Sequence, residues 1–208
     1  MTIDSDLPYA LENPEEIERR RAMLTLPHIA PLVEYAQHIT NSIGSNYEIP
    51  YFDPCDGGIK AKALFLLEAP GRKAVDSNFI SRNNPDPSAK TICTLLATAD
   101  IPRYSTLLWN IVPWYVGNDS NIRPVTQPDI AMALPFIKEL ISLLPNLKAI
   151  VLVGRKAQKV KFQLTQLTNA RLFESHHPSQ RVMNRWPERR AEMLDTFKSL
   201  AAFLRNGI

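Results

Sequence analysis

The chain has little cysteine, no glycine-rich phosphate loop and no long apolar run, and each shortage excludes a class of protein. Its two cysteines, Cys55 and Cys93, stand far apart, so they provide neither a disulfide framework, a zinc site nor a four-cysteine iron–sulfur cluster. The absence of a Gly-x-x-x-x-Gly-Lys-Ser/Thr pattern counts against nucleoside triphosphate binding. No apolar stretch reaches the roughly 20 residues that span a bilayer. The acidic, polar first residues do not form a secretory signal, and a cytoplasmic protein is expected.

What is present is enough apolar material for one folded unit. The 208 residues are 45% hydrophobic and 22% charged, a balance that supports a single domain with a substantial core. The net charge is +3 and the isoelectric point is near 8.9, which favours a polyanionic partner without identifying one.

Short apolar segments alternate with helical patterns along the chain. Four apolar runs predict strands, at residues 62–67, 106–109, 149–153 and 171–174. Helices are predicted at about 14–24, 30–41, from 87 onward, 128–143, 154–167 and 186–204, with a loop at 42–60. Fully apolar strands joined by helices imply an α/β fold whose parallel sheet is covered on both faces. Residues 1–59 are expected to form N-terminal helices and a loop, packed on the main domain of residues 60–208 in one globular unit.

Residues with chemical potential follow the predicted strands directly. Glu68 follows the first strand, Asn110 the second, Gly154 the third, and His176 and His177 the fourth. In a parallel sheet, ligands bind beyond the carboxyl ends of the strands. The polar side chains at three of these ends are therefore expected to converge on one crevice.

The segment Glu68-Ala69-Pro70-Gly71 leaves a buried strand through a tight turn. Pro70 fixes the backbone and Gly71 permits close approach of a ligand, so Ala69 and Gly71 are expected to contact a substrate. A partly desolvated carboxylate at Glu68 could hold or activate a water molecule, although a turn or capping acid fits the same pattern. Phe79, on the loop that follows, could stack on a base or simply pack on the core.

An asparagine and a histidine are the next candidates. The Asn110 amide offers a donor and an acceptor together, which matches the adjacent imide N–H and carbonyl of uracil or thymine; the alternative is an amide that satisfies loop backbone. A residue before proline is extended, which directs His177 into the crevice and His176 away from it. A neutral His177 could donate a hydrogen bond to a departing base. A metal ligand or a solvated turn are the other interpretations.

A basic stretch follows the histidines. Ser179 could contact a phosphate, and residues 180–190 contain four arginines against one glutamate. Arg181 and Arg185 suit phosphate contacts, and the apolar Val182-Met183 pair suits a wedge between bases. The start of a solvated helix explains the same residues equally well.

Taken together, these motifs resemble the uracil-DNA glycosylase superfamily. The resemblance extends over residues 60–190 and consists of the Glu68–Gly71 loop, Phe79, Asn110, Val151-Leu-Val-Gly154 with Lys156-Ala157, and His177-Pro-Ser179. It implies a three-layer α/β/α sandwich with a central, mainly parallel four-stranded sheet. It further implies a monomer without metal or other cofactor, and a DNA partner, single- or double-stranded, that carries a damaged base.

The resemblance also implies roles for the candidate residues. Glu68 would position or activate the water or organise its loop, Phe79 would stack under the base, Asn110 would read its edge and His177 would stabilise the leaving anion. Ser179 and Arg181, with Arg185 beside them, would bind DNA. The expected activity is that of a monofunctional DNA glycosylase in base excision repair, with uracil as first substrate and base flipping as the means of access. A non-cleaving DNA or modified-base binding module is the alternative, and a nucleoside hydrolase is a third.

Two departures separate the chain from the members it resembles. Leu67 stands where many members have glycine. The four cysteines that usually accompany a Glu-Ala-Pro-Gly loop are missing. The chain therefore resembles a cluster-free outlying branch of the superfamily.

Overall fold

The computed structural model describes residues 6–117 and 121–206. Within these ranges the strands are β1 (Tyr51–Phe52), β2 (Ala63–Leu67), β3 (Phe79–Ile80), β4 (Thr106–Asn110), β5 (Ala149–Val153) and β6 (Arg171–Ser175). The α-helices are α1 (Pro14–Ala22), α2 (Ala30–Ile43), α3 (Arg72–Ser77), α4 (Pro87–Thr98), α5 (Gln127–Ser142), α6 (Lys161–Leu167), α7 (Gln180–Arg185) and α8 (Arg189–Asn206).

The main sheet is parallel throughout and has the strand order β4-β2-β5-β6. Leu64 of β2 lies in register with Leu107 of β4 on one side and with Ile150 of β5 on the other. Strands β4 and β5 are completely buried, whereas the edge strand β6 is partly exposed. Burial on both faces explains why the central strands are continuous apolar runs. The α/β fold with a parallel four-stranded sheet is thereby confirmed.

The sequence patterns miss the shortest elements. The predicted loop at 42–60 contains β1, which pairs with β3 in a second, two-stranded parallel sheet. Helices α3 and α7 span only six residues each, fewer than the two turns that an amphipathic pattern needs to be visible. The last helix begins at Arg189, three residues after Trp186. No helix in the described ranges combines the length and the apolarity that a membrane crossing requires.

Two helix starts follow from their capping residues. The Asn13 side chain accepts a hydrogen bond from the amide of Glu15 at 2.9 Å, and Pro14 opens α1. The Asp86 side chain accepts from the amides of Ser88 and Ala89 at 2.9 and 3.0 Å, and a proline opens α4. Each cap satisfies helix N–H groups that would otherwise lack partners, so these starts agree with prediction.

A buried carboxylate joins the N-terminal helix to the rest of the molecule. Asp53 is fully buried and accepts hydrogen bonds from Arg20 of α1, from the Ser81 hydroxyl, and from Arg103 at 2.7 Å. The backbone amide of Cys55 donates to its other oxygen at 2.9 Å. We call Arg20, Asp53, Ser81 and Arg103 the Asp53 network. It connects four segments that are distant in the sequence.

The charges around Asp53 decide its ionisation. Burial by itself raises the pKa of a carboxyl, but the positive charges of Arg103 and Arg20 and the Ser81 hydrogen bond outweigh it, and the pKa of Asp53 lies below its ordinary value. Asp56, which accepts from Arg103 at 2.9 Å, shows the opposite balance: burial dominates and its pKa is raised. The network therefore keeps Asp53 ionised even though the side chain is fully buried.

Asp53→Asn should destabilise the protein by about 3 kcal/mol or more, because it removes the buried negative charge that Arg20 and Arg103 share. Urea unfolding measures the difference. The matched control is Glu18→Gln in the exposed pair with Arg21, for which a loss below about 1 kcal/mol is expected. An Asp53→Asn loss no larger than that of the control would contradict the role given to the network.

Wild type and Asp53→Asn can also be compared as a function of pH. Because the folded-state pKa of Asp53 is below its ordinary value of 3.8, the stability that this group contributes is present above pH 3.8. It is lost as the pH falls through the lowered folded-state value. The stability difference between wild type and Asp53→Asn should therefore narrow only in that acid range.

Candidate active site

A cavity of about 340 Å³ opens at the carboxyl ends of the strands. Its walls come from the loop after β2, the start of α4, the end of β4 and the segment after β6. The side chains and backbone that line it include Ala69, Gly71, Asp86, Ser88, Asn110 and His177. This volume falls within the range of small-ligand pockets, and the position is where parallel sheets bind ligands.

Asn110 is the last residue of β4 and lies opposite Leu67 in the register of the sheet. Its side chain is 3% exposed, and the amide oxygen Oδ1 is buried without a hydrogen-bond partner. Leaving a buried acceptor unpaired costs about 1–3 kcal/mol. A ligand that brings an N–H donor into the cavity would remove this cost.

His177 lines the same cavity. It follows β6, which is the edge strand at the other side of the sheet from β4. The backbone amide of Ser179 donates to His177 Nδ1 at 3.2 Å, so in the neutral ring the proton resides on Nε2. Burial lowers the pKa of His177, and the negative charges of Glu68 and Asp86 oppose this only in part. The result is a neutral imidazole with one N–H donor.

Gly154 makes room for this ring. It ends β5 with φ of +88°, a conformation that side-chain-bearing residues rarely adopt. A Cβ atom at this position would lie 3.0 Å from His177 Cβ and 3.1 Å from His177 Cδ2. The sequence interpretation treats Gly154 only as the end of a strand, because the contact with His177 joins residues that are distant in the chain.

His176 lies outside the cavity. Its Nε2 is 2.5 Å from Oε2 of Glu192 on α8, and it lines a second cavity of about 410 Å³ to which His177 also contributes. Of the two histidines, only His177 lines the cavity at the strand ends.

Glu68 has a different position from the one that the sequence suggests. It is partly buried but does not line the cavity. Its Oε1 accepts a hydrogen bond from the amide of Val125 at 3.2 Å, and Lys156 Nζ donates to the carbonyl of Val125 at 2.5 Å. Glu68 and Lys156 thus hold the segment before α5 through the N–H and the C=O of one residue, Val125.

The structure does not bring Phe79 to the cavity. It is fully buried in β3, paired with Tyr51, and its carbonyl accepts from Asn84 Nδ2 at 2.8 Å. Its neighbour Ile80 forms part of the cavity wall instead. The alternation of side chains along a strand directs the two to opposite faces, and the aromatic ring packs into the core.

The proposed DNA-binding residues lie directly after His177. Ser179 precedes α7 as its capping position, and Arg181 and Arg185 are exposed on that helix. Two guanidinium groups flank the ring of Trp186: that of Arg185 at 4.5 Å and that of Arg189 at 3.8 Å from its centroid. Cation–π contacts of this kind hold arginines in place. Trp186 and Arg189 line the cavity of about 410 Å³ that His176 and His177 share, so positive charge lies beside His177.

No metal centre accompanies these groups in the described ranges, where no three potential ligand side chains cluster. Cys55 and Cys93 are both free thiols, and burial raises the pKa of each.

Comparison with known proteins identifies the family of the chain. The model of the uracil DNA glycosylase superfamily matches residues 54–201. A solution NMR structure of a candidate uracil DNA glycosylase from Methanosarcina acetivorans is 15% identical, with a TM-score of 0.46, over 68% of this chain and 94% of that one. No curated protein matches. Because the family match spans more than half of the chain and contains every residue of the cavity, this chain belongs to the uracil DNA glycosylase superfamily.

Proposed function

We propose that the protein is a DNA glycosylase that hydrolyses the N-glycosidic bond of a damaged base, uracil first, after the base has swung out of the DNA into this cavity. Membership of the superfamily supports a glycosylase-like activity in general. The observation that supports the specific reaction is the pairing, in one cavity, of the unpartnered Asn110 amide oxygen with the neutral imidazole of His177.

Asn110 would read the edge of the base. Its buried oxygen can accept the imide N–H of uracil, and its NH₂ group can donate to the neighbouring carbonyl. Cytosine presents an acceptor where uracil has the N–H, so it would leave the buried oxygen unpaired and would be rejected. Hypoxanthine carries the same adjacent N–H and carbonyl as uracil and is the next substrate to test.

His177 would stabilise the leaving group. As the glycosidic bond breaks, negative charge grows on the base, and a preorganised donor at a carbonyl oxygen is worth roughly 10²–10³ in rate. The amide of Ser179 keeps the proton on Nε2, so the ring offers a donor at neutral pH without carrying a charge.

The substrate would be held by its phosphates. Ser179 directly precedes α7, and Arg181 and Arg185 are exposed on that helix, where cations can contact the backbone of DNA. This arrangement supports binding of either single- or double-stranded DNA.

We further propose that the enzyme is monofunctional and leaves an abasic site. Lys73 is at the edge of the cavity, but it is exposed and lies 3.7 Å from Asp76. A lysine that forms Schiff bases is activated by desolvation or by a neighbouring cation, and Lys73 has an acid beside it instead. Borohydride should therefore trap no covalent enzyme–DNA adduct.

The direct test is incubation with oligonucleotides that contain uracil, hypoxanthine or xanthine, in single and double strands, followed by alkaline cleavage of abasic sites. Product from at least one of these substrates is expected. Absence of product from all of them would overturn the proposal.

One observation favours a second candidate, a module that binds DNA or a modified base without cutting it. Glu68, the acid expected to handle water, is engaged with Val125 and does not line the cavity. Wild-type protein that binds damaged DNA tightly and never turns it over would support this candidate.

Asn110→Ala should reduce kcat/KM on uracil DNA by about 10–100-fold, because the base loses a buried hydrogen-bond partner. Thermal unfolding is expected to change little, since the removed oxygen has no partner in the free protein. Steady-state kinetics and calorimetry measure the two quantities. A variant with wild-type kcat/KM would contradict the role of Asn110 in recognition.

His177→Ala should lower the single-turnover cleavage rate by about 10²–10³-fold through loss of the donor to the leaving base. His176→Ala is the matched control, since it removes the neighbouring imidazole, which lies outside the cavity; a change below about threefold is expected. Rapid-quench kinetics distinguish the two. Equal losses in both variants would show that the segment, rather than the ring of His177, matters.

The pKa of His177, followed by NMR of its ring protons, should lie below the ordinary value of 6.5 because of burial. Glu68→Gln should lower it further, since it removes a negative charge that favours the imidazolium while keeping an oxygen for the Val125 amide. In the stability curve, the depressed pKa gives a contribution that is fully present above pH 6.5 and is lost as the pH falls through the folded-state value. A midpoint at or above 6.5 would contradict the neutral-donor role.

A further inference from the structure

The hydrolysis needs an anionic group beside the sugar, and the cavity contains one that the sequence motifs do not indicate. Positive charge develops on the sugar as the base leaves, and the attacking water must be oriented and deprotonated. Glu68 is turned toward Val125. Among the described residues that line the cavity, Asp86 is the acidic one.

Asp86 is held in place by the helix that it caps. Its Oδ1 accepts from the amides of Ser88 at 2.9 Å and Ala89 at 3.0 Å. Both bonds use the same oxygen, so Oδ2 remains available to a ligand or a water molecule. The N-terminus of the 12-residue helix α4 favours the ionised form of the side chain. The result is a fixed carboxylate at the wall of the cavity.

The carboxylate enters the cavity from a different element than the base-binding groups. Asn110 and His177 come from the carboxyl ends of β4 and β6, on opposite sides of the sheet, whereas Asp86 comes from the start of α4. The negative charges of Glu68 and, to a smaller extent, Asp86 both raise the pKa of His177 against the effect of burial. Asp86, Asn110 and His177 therefore line one cavity from three elements. Asn110 and His177 suit contacts with the base.

We propose that Asp86, rather than Glu68, is the catalytic carboxylate, which faces the sugar and positions the attacking water. This inference rests on the proposed glycosylase function. In the reaction the C1′–N bond breaks and its electron pair leaves with the base, whose carbonyl oxygen accepts the hydrogen bond of His177. The water oxygen bonds to C1′, one water proton passes to Asp86 and on to solvent, and the base anion takes a proton from solvent.

Glu68 has a positioning role in this scheme. It fixes Val125 and adds negative charge near His177. Two acids of the same chemical type thus differ in function because Asp86 lines the cavity and Glu68 does not.

The test compares Asp86→Asn with Glu68→Gln. Asparagine caps helices as well as aspartate does, so Asp86→Asn keeps the start of α4 and removes only the charge. Its single-turnover rate on the substrate that wild type cleaves should fall by about 10²–10⁴-fold, with a melting temperature close to that of wild type. Glu68→Gln should lose less than about tenfold. Asp86→Ser, which also caps, serves if the asparagine variant does not fold.

A binding measurement separates catalysis from structure. DNA with a cationic pyrrolidine in place of the target sugar should bind wild type at least tenfold more tightly than Asp86→Asn. DNA with a 2′-fluoro-deoxyuridine, which resists cleavage, should bind both equally. A purely structural Asp86 would affect both ligands alike.

The outcomes distinguish the two levels of the proposal. In one outcome the wild type cleaves DNA, Asp86→Asn retains the wild-type rate and Glu68→Gln loses it. This result would overturn the assignment of Asp86 but not the glycosylase function. Wild type that cleaves none of the damaged bases would overturn both.

Discussion

The buried carboxylate of Asp53 is the interaction on which the arrangement of the molecule depends. Arg20, Arg103 and Ser81 all donate hydrogen bonds to this group. One carboxylate therefore joins helix α1, the segment after β3 and the segment before β4. Ser81 also forms part of the cavity wall. Because a buried ion is tolerated only with its partners in place, the N-terminal residues fix the loop that shapes the cavity as well as covering the domain.

The Asp53 network satisfies its buried charge with hydrogen bonds, whereas the cavity contains polar groups whose hydrogen bonds are incomplete. The Asn110 oxygen lacks a partner, and partial burial favours the neutral form of the His177 imidazole. The unpaired oxygen is unfavourable in the free protein, and it gains a partner when a base with a matching edge arrives. A stable scaffold with strong internal ion pairs can sustain this small region of unmet hydrogen bonding.

Much of this architecture follows from the sequence, and the limits have physical causes. Strands β2 and β5 were predictable because burial on both faces makes them apolar throughout, and β4 because it has an apolar centre, Leu107 to Trp109. Residues at strand ends converge because the strands are parallel, so the meeting of Asn110 and His177 needs no side-chain detail. Strands β1 and β3, with two residues each, and helices α3 and α7, with six each, are too short to show a hydrophobic period. Whether Glu68 or Asp86 faces the cavity depends on single hydrogen bonds to Val125 and Ser88, which no local pattern encodes.

The contacts that orient His177 come from main chain: the bare Cα of Gly154 behind the ring and the amide of Ser179 at Nδ1. Main-chain contacts survive replacement of the surrounding side chains, provided that position 154 stays glycine. The groups that choose a base, by contrast, are side chains such as Asn110. Orientation of the imidazole and choice of base are therefore separable, so a descendant of this scaffold can acquire a new base preference by altering the wall of the cavity alone.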